Sequence, residues 1–168
     1  MQRRTWLRLG LASAVVLACG GGTLALIEPG LRDAGLSPSG RLVFSGVGRA
    51  MLDGSLPASA GGLQAAMAGL LQRIDDLVAG LPPHAQHELS QLLALLANPA
   101  GRRMLGGLAT PWDTASVAEI QTALQAMRVS SLGLRQQAYQ ALHDIVGSAY
   151  FADASTWQLL GYPGPMKI

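Results

Sequence analysis

Few side chains of this 168-residue sequence stand where they could do chemistry together. His84 and His87 are three residues apart, with Glu88 beside the second. That spacing sets two imidazoles on one helical face, as a zinc site would, yet no third ligand is evident nearby. A solvated first helical turn uses the same residues. His143 and Asp144 are adjacent, and neighbours on a helix point about 100° apart, so no relay is expected of them. Ser130-Ser131 lacks the strand–turn–helix context of a nucleophile elbow. Arg102-Arg103 offers a grip for phosphate or an acidic patch, or simply a solvated turn. No glycine-rich phosphate loop follows a strand pattern. Convergent polar groups for catalysis cannot be assembled, so the expectation is a chain without catalytic, cofactor-binding or metal-ligating residues.

The chemistry the sequence does carry is that of an address. Arg3, Arg4, Trp6, Leu7 and Arg8 lead into Leu9–Ile27, nineteen residues without a charge. This cluster resembles a twin-arginine export signal, read by the translocase that moves folded proteins across the bacterial inner membrane. The positive cluster stays on the cytoplasmic side while the apolar run, softened by Gly10 and Gly20–Gly22, enters the bilayer. Nineteen residues in a helix reach about 28 Å, enough to span a hydrocarbon core. Glu28, Pro29 and Gly30 end the run. Three fates stay open: cleavage after Thr23-Leu24-Ala25, lipidation of Cys19 within Val16-Leu17-Ala18-Cys19, or retention as an anchor. The expected division is residues 1–30 as signal or anchor and residues 31–168 as one exported domain.

Composition narrows the function classes. The sequence pI is about 9.1, but three arginines belong to the leader, and nine basic residues then face ten acidic ones. The exported part is close to neutral, which gives no argument for nucleic acid. Charged residues are only 13% of the chain and mean hydropathy is +0.29, so some apolar surface is expected either to meet a partner or to belong to a plain Ala/Leu-rich bundle. Cys19 is the only cysteine, and it lies in the leader. The domain can therefore form no internal disulfide, cysteine metal site or catalytic thiol, although its compartment would permit a disulfide.

The elements that position these residues read as helices. Leu42, Val43, Val47, Ala50 and Met51 recur at three- and four-residue steps after Pro38, and Asp53-Gly54 closes that helix. Leu63, Met67, Leu70, Leu71, Ile74, Leu77 and Val78 form the stripe of a second helix over Gly62 to Ala79, with Arg73, Asp75 and Asp76 on its wet side. Pro83 opens a third, His84 to Asn98, apolar over most of its circumference and so expected to be central or at an interface. Ala100–Leu108 reads as a short helical turn, and Thr110-Pro111-Trp112 as a loop with one aromatic anchor. Ser116 and Glu119 have capping-box spacing and open a helix carrying Val117, Ile120, Leu124 and Met127. Leu132 to Phe151 is the last long helix. No stretch alternates with period two, so no strand is expected. The fold class is all-α, a small bundle of five or six helices preceded by the signal or transmembrane helix.

The carboxyl-terminal run Tyr150-Phe151-Ala152-Asp153-Ala154-Ser155-Thr156-Trp157-Gln158-Leu159-Leu160-Gly161-Tyr162-Pro163-Gly164-Pro165 departs from that pattern. Its aromatics offer large contact area with polar tips, and its glycines and prolines restrict rearrangement. An ordered, non-helical tail is expected, either folded back to plug the bundle with Trp157 inward or exposed to a partner. A twin-arginine leader, a helical domain and this Trp…Leu-Gly-Tyr-Pro-Gly-Pro ending together resemble the gluconate 2-dehydrogenase subunit 3 family. The resemblance rests on the two ends; the middle matches only in being helical and Leu/Ala-rich. It implies a non-catalytic small subunit without a cofactor of its own, bound to a large FAD-dependent subunit of the glucose–methanol–choline class that lacks a signal. The two would be exported together to the periplasmic side of the inner membrane, and a c-type cytochrome subunit often completes such complexes. Trp157, Gly161, Tyr162, Pro163, Gly164 and Pro165 are the residues the resemblance assigns to partner binding.

Overall fold

The computed structural model describes residues 28–162 and Gly164. Arg3, Arg4, Trp6, Leu7 and Arg8, and likewise Pro163 and Pro165, lie outside the described residues. The described chain begins with a minimal hairpin, β1 (Leu31–Arg32) and β2 (Gly35–Leu36), then α1 (Pro38–Met51), α2 (Ala60–Ala79), α3 (Pro83–Ala97) and the three-residue α4 (Pro99–Gly101). A π-helical turn (Arg102–Gly106), α5 (Val117–Arg128), α6 (Gly133–Phe151) and a 3₁₀ helix (Ala154–Leu160) follow. The all-α reading holds for the bundle.

The absence of strands is corrected by the hairpin. Leu31 pairs with Leu36 and Arg32 with Gly35, antiparallel. Asp33 and Ala34 turn it with positive φ of 51° and 60°, the pair of left-handed residues that a two-residue loop of this hand demands. The strands are too short to show alternation. The hairpin is clasped from two sides. Asp75 on α2 accepts the Leu36 amide at 2.7 Å and the Arg41 guanidinium. Ser90 on α3 accepts the Gly30 amide on its carbonyl at 3.2 Å and the Leu31 amide on its hydroxyl at 3.1 Å. Asp75 is therefore a structural acceptor rather than a wet-face residue.

The centre of the bundle is α1, which packs against α2, α3, α5 and α6. Of the two places expected for the leucine-rich α3, central or at an interface, the centre belongs to α1: Leu93 and Leu96 are fully buried, but Leu92 and Leu95 are only partly covered. Glycine makes the centrality of α1 possible. A Cβ on Gly48 would lie 2.8 Å from Leu70, and one on Gly40 would collide with the Gly30 carbonyl. Neighbouring helices and loops thus approach the α1 backbone directly. Phe44, Val43 and Val47 fill the core, while Leu42 faces solvent. Ile74 and Val78 from α2, Ile120 and Met127 from α5, and Leu142 and Val146 from α6 complete one continuous cluster. Trp112 is buried, donating from Nε1 to the Leu96 carbonyl at 2.7 Å.

Local signals end the helices as the residues dictate. Ser37 accepts from the Gly40 amide and caps α1. The Ser116–Glu119 capping box forms in full and opens α5. Ser130 accepts the Leu132 amide with its hydroxyl at 3.2 Å and lets α6 start one residue on, at Gly133. Among the described residues, no helix is long and apolar enough to cross a membrane.

Candidate partner-binding surface

The tail is helical where a non-helical run was expected. Ala154–Leu160 form a 3₁₀ helix, and the reason lies in its first residues. Asp153 accepts the Ser155 amide at 3.0 Å and the Ser155 hydroxyl at 2.7 Å, an aspartate turn that redirects the chain after α6. Thr156 is buried and donates its hydroxyl to the Tyr150 and Asp153 carbonyls. Arg73 on α2 ties the corner down, donating from Nε to the Ala149 carbonyl at 2.7 Å and pairing with Asp153 at 3.1 Å. The Ser155 hydroxyl, then the Ser155 amide, hold the Asp153 carboxyl below the usual aspartate range, with Arg73 adding to the effect.

Onto this corner the predicted aromatics are assembled. Trp157 donates from Nε1 to the Phe151 carbonyl at 2.7 Å, so its polar edge is satisfied by the end of α6. Its ring meets Tyr162 edge to face, with centroids 5.5 Å apart and planes at 68°, within the geometry aromatic pairs prefer. The chain reverses between the two rings at Gly161, φ 67°, and the Tyr162 amide donates to the Trp157 carbonyl at 3.1 Å. Gly164, also at positive φ, lies in van der Waals contact with Trp157. Trp157, Gly161, Tyr162 and Gly164 therefore do come together. Trp157 is half-buried and lies outside the bundle's core cluster, which rules out its acting as an inward plug. Tyr162 is 50% exposed and Phe151 45%. Thr156 is the residue that plugs. Sequence reasoning carried Phe151 only as part of the terminal run and missed Thr156 and Arg73; Asp153-x-Ser155 just past the helix was the signal for the corner.

Phe151 also borders a shallow, mostly apolar groove of about 480 Å³ between α1, α5 and α6. Met51, Leu52, Leu124 and Val146 line it, with Gln121 and Tyr139 among its polar groups. The exposed aromatic corner and this groove are continuous through one side chain. No known protein family, curated protein or solved structure matches the chain.

The other candidate residues remain scattered. His84 is exposed, and His87 shares a hydrogen bond of 2.9 Å with Gln91. Among the described residues no three of His, Cys, Asp and Glu are grouped to hold a metal ion. His143 and Asp144 do touch, Nδ1 to Oδ1 at 3.3 Å, although adjacent on the helix. Both are more than half exposed, and Tyr139 stacks near the imidazole with centroids 5.7 Å apart. Of the Arg102-Arg103 pair only Arg103 is solvated. Arg102 is buried, donates to the Ala109 carbonyl at 3.2 Å, and its Nε has no partner among the described residues.

Proposed function

We propose that this chain is a non-catalytic small subunit that escorts a folded FAD-dependent dehydrogenase of the glucose–methanol–choline class through twin-arginine export. It then holds that enzyme at the periplasmic face of the inner membrane, with a c-type cytochrome subunit as a further partner. One observation carries the reading: the same chain joins an Arg3-Arg4-Thr5-Trp6-Leu7-Arg8 leader to the Trp157–Pro165 ending. Support comes from the corner built by Phe151, Trp157 and Tyr162. Tyrosine and tryptophan, large and with a polar tip, are the side chains that anchor protein interfaces, and here Tyr162 and Phe151 are exposed beside a Trp157 whose Nε1 is satisfied. In this reading the flavin and the substrate pocket belong to the partner, and residues 1–30 act as the shared export ticket and anchor.

A gentle-detergent pull-down of the tagged chain from membranes tests it. The expected eluate shows a flavin absorbance spectrum and a second, much larger band; a colourless single band rejects the reading. Arg3→Lys with Arg4→Lys should leave both chain and partner in the cytoplasm, and normal periplasmic partner activity in that variant would count against the escort role.

A second reading is a free-standing, membrane-tethered periplasmic helical domain that binds another envelope component. The self-contacts of Trp157 with Phe151 and Tyr162 favour it. Trp157→Ala with Tyr162→Ala separates the two. A subunit loses its large partner at nearly unchanged thermal midpoint, whereas a self-packing tail lowers the midpoint of the isolated chain.

A further inference from the structure

The eight arginines among the described residues fall into three sets, of which Arg49 and Arg102 turn inward and donate to the Trp112 and Ala109 carbonyls. Arg32, Arg41 and Arg73 meet carboxylates, in Glu28, Asp75 and Asp153. Arg103, Arg128 and Arg135 do not: among the described residues none of the three enters an ion pair. Arg128 donates only to Gln125, and Arg135 only to the Leu105 carbonyl, at 3.0 Å. That last bond fixes their common location, because it joins the π turn to the first turn of α6, directly after the α5–α6 connection. Among the described residues the three most exposed large apolar side chains sit at this same end: Met104 on the π turn at 81%, and Val129 and Leu132 on the connection at 64% and 62%. Two neighbouring turns thus present apolar tips with unpaired arginines beside them.

We infer that this end of the bundle rests on an anionic lipid surface, the three apolar tips entering the interface and the three arginines meeting headgroup phosphates. Unpaired cations on a near-neutral domain call for an anionic partner. A bilayer suits them better than a protein, because the apolar groups protrude from turns and include no aromatic anchor. The tether agrees, and in this the inference rests on the leader being retained as an anchor. Gly30, three residues past the apolar run, is bonded to Ser90 on α3. From Ser90 to the end of α3 is about 10 Å along the axis, and the π turn follows after the three residues of α4. A membrane at the leader's exit is therefore within reach of Met104, at the high effective concentration that a short tether gives.

The test uses the full chain reconstituted in vesicles of phosphatidylcholine with and without phosphatidylglycerol, read by amide hydrogen exchange. With phosphatidylglycerol, segments 102–107 and 128–135 should exchange more slowly, and high salt should remove the protection. Segment 60–66 should not change; it lies by the far end of α6, where Tyr150 donates to the Ser55 carbonyl. Each arginine at an anionic surface strengthens contact about fivefold, so Arg103→Gln with Arg128→Gln should lower the protection roughly twentyfold. Met104→Asp with Leu132→Asp should abolish it, and both pairs include only exposed positions. Equal exchange in the two vesicle types overturns the inference. So does protection that persists in lipid-free detergent, which would mark a second copy or a protein partner. Resistance of the quadruple variant to alkaline extraction reads the anchor separately: its loss refutes the retained leader without bearing on the patch.

Discussion

Two groups of irregular segments in the bundle treat the same residue differently. At the hairpin and tail, arginine is consumed by internal structure: Arg41 meets Asp75, which also holds the Leu36 amide, and Arg73 meets Asp153 while bonding the Ala149 carbonyl. At the π-turn end, arginine meets only carbonyls and a glutamine amide, and Arg103 and Arg128 face solvent. Chain segments that lack a regular neighbour, such as a two-residue-strand hairpin and a 3₁₀ tail, are secured by charge. The π turn is secured by a buried aromatic instead, and that frees its cations for other use.

The comparison breaks first at Trp112. If this ring and its bond to Leu96 hold the π-turn end, Trp112→Ala should destabilise the chain by about 3–5 kcal/mol, the range for emptying a buried aromatic site. Chemical denaturation measures it, and a loss below about 1 kcal/mol would mean that charge or backbone secures this end too. At the hairpin Asp75→Ala should cost about 2 kcal/mol, because a part-buried amide and a guanidinium lose their acceptor together. Its loss should appear as fast exchange at Leu36 before global unfolding, and an unchanged Leu36 would remove Asp75 from the clasp.

The capping box gives a smaller, pH-dependent contrast. Ser116→Ala should cost about 1 kcal/mol, as removal of an N-cap hydroxyl does. In the folded chain the Ser116 hydroxyl, then its amide, then the Thr110 hydroxyl hold the Glu119 carboxyl below the usual glutamate range. A folded-state pKa lowered in this way stabilises the fold above the unfolded value, and the contribution is lost as pH falls through the folded one. Wild type should therefore lose more stability than Ser116→Ala on acidification below the ordinary carboxylate range. Parallel acid limbs for the two proteins would remove the box from the pH response.

What could be read from residues alone tracks the range of the forces involved. Periodicity places α1, α2, α3, α5 and α6 within a residue or two at each end, because core burial along a helix repeats locally. Ser116…Glu119 is legible for the same reason. The hairpin is not, since two residues per strand carry no pattern and Asp33-Ala34 resembles no usual reversing pair. Asp75 and Arg73 read as wet because their partners lie 39 and 80 positions away. The aromatic corner was located by its residue types, yet its helical form depended on Asp153 and Ser155. Arg102 read as solvated because nothing near it in sequence announces the fold of the π turn around it.

The smallest expected effect is the most discriminating. Arg103→Gln with Arg128→Gln should change stability by no more than about 0.5 kcal/mol, as for exposed positions that hold nothing. The single change Asp75→Ala, at the hairpin, should exceed that several times. If the two glutamines instead destabilised the chain as much as losing Asp75, those arginines would be structural, and the division between segments that spend their charge inward and one that presents it outward would fail. If stability is held while contact with phosphatidylglycerol vesicles weakens, charge at the π-turn end serves what lies outside the fold. Arg135 holds the Leu105 carbonyl of the π turn, so the cations left beside the exposed tips for an outside surface are chiefly Arg103 and Arg128.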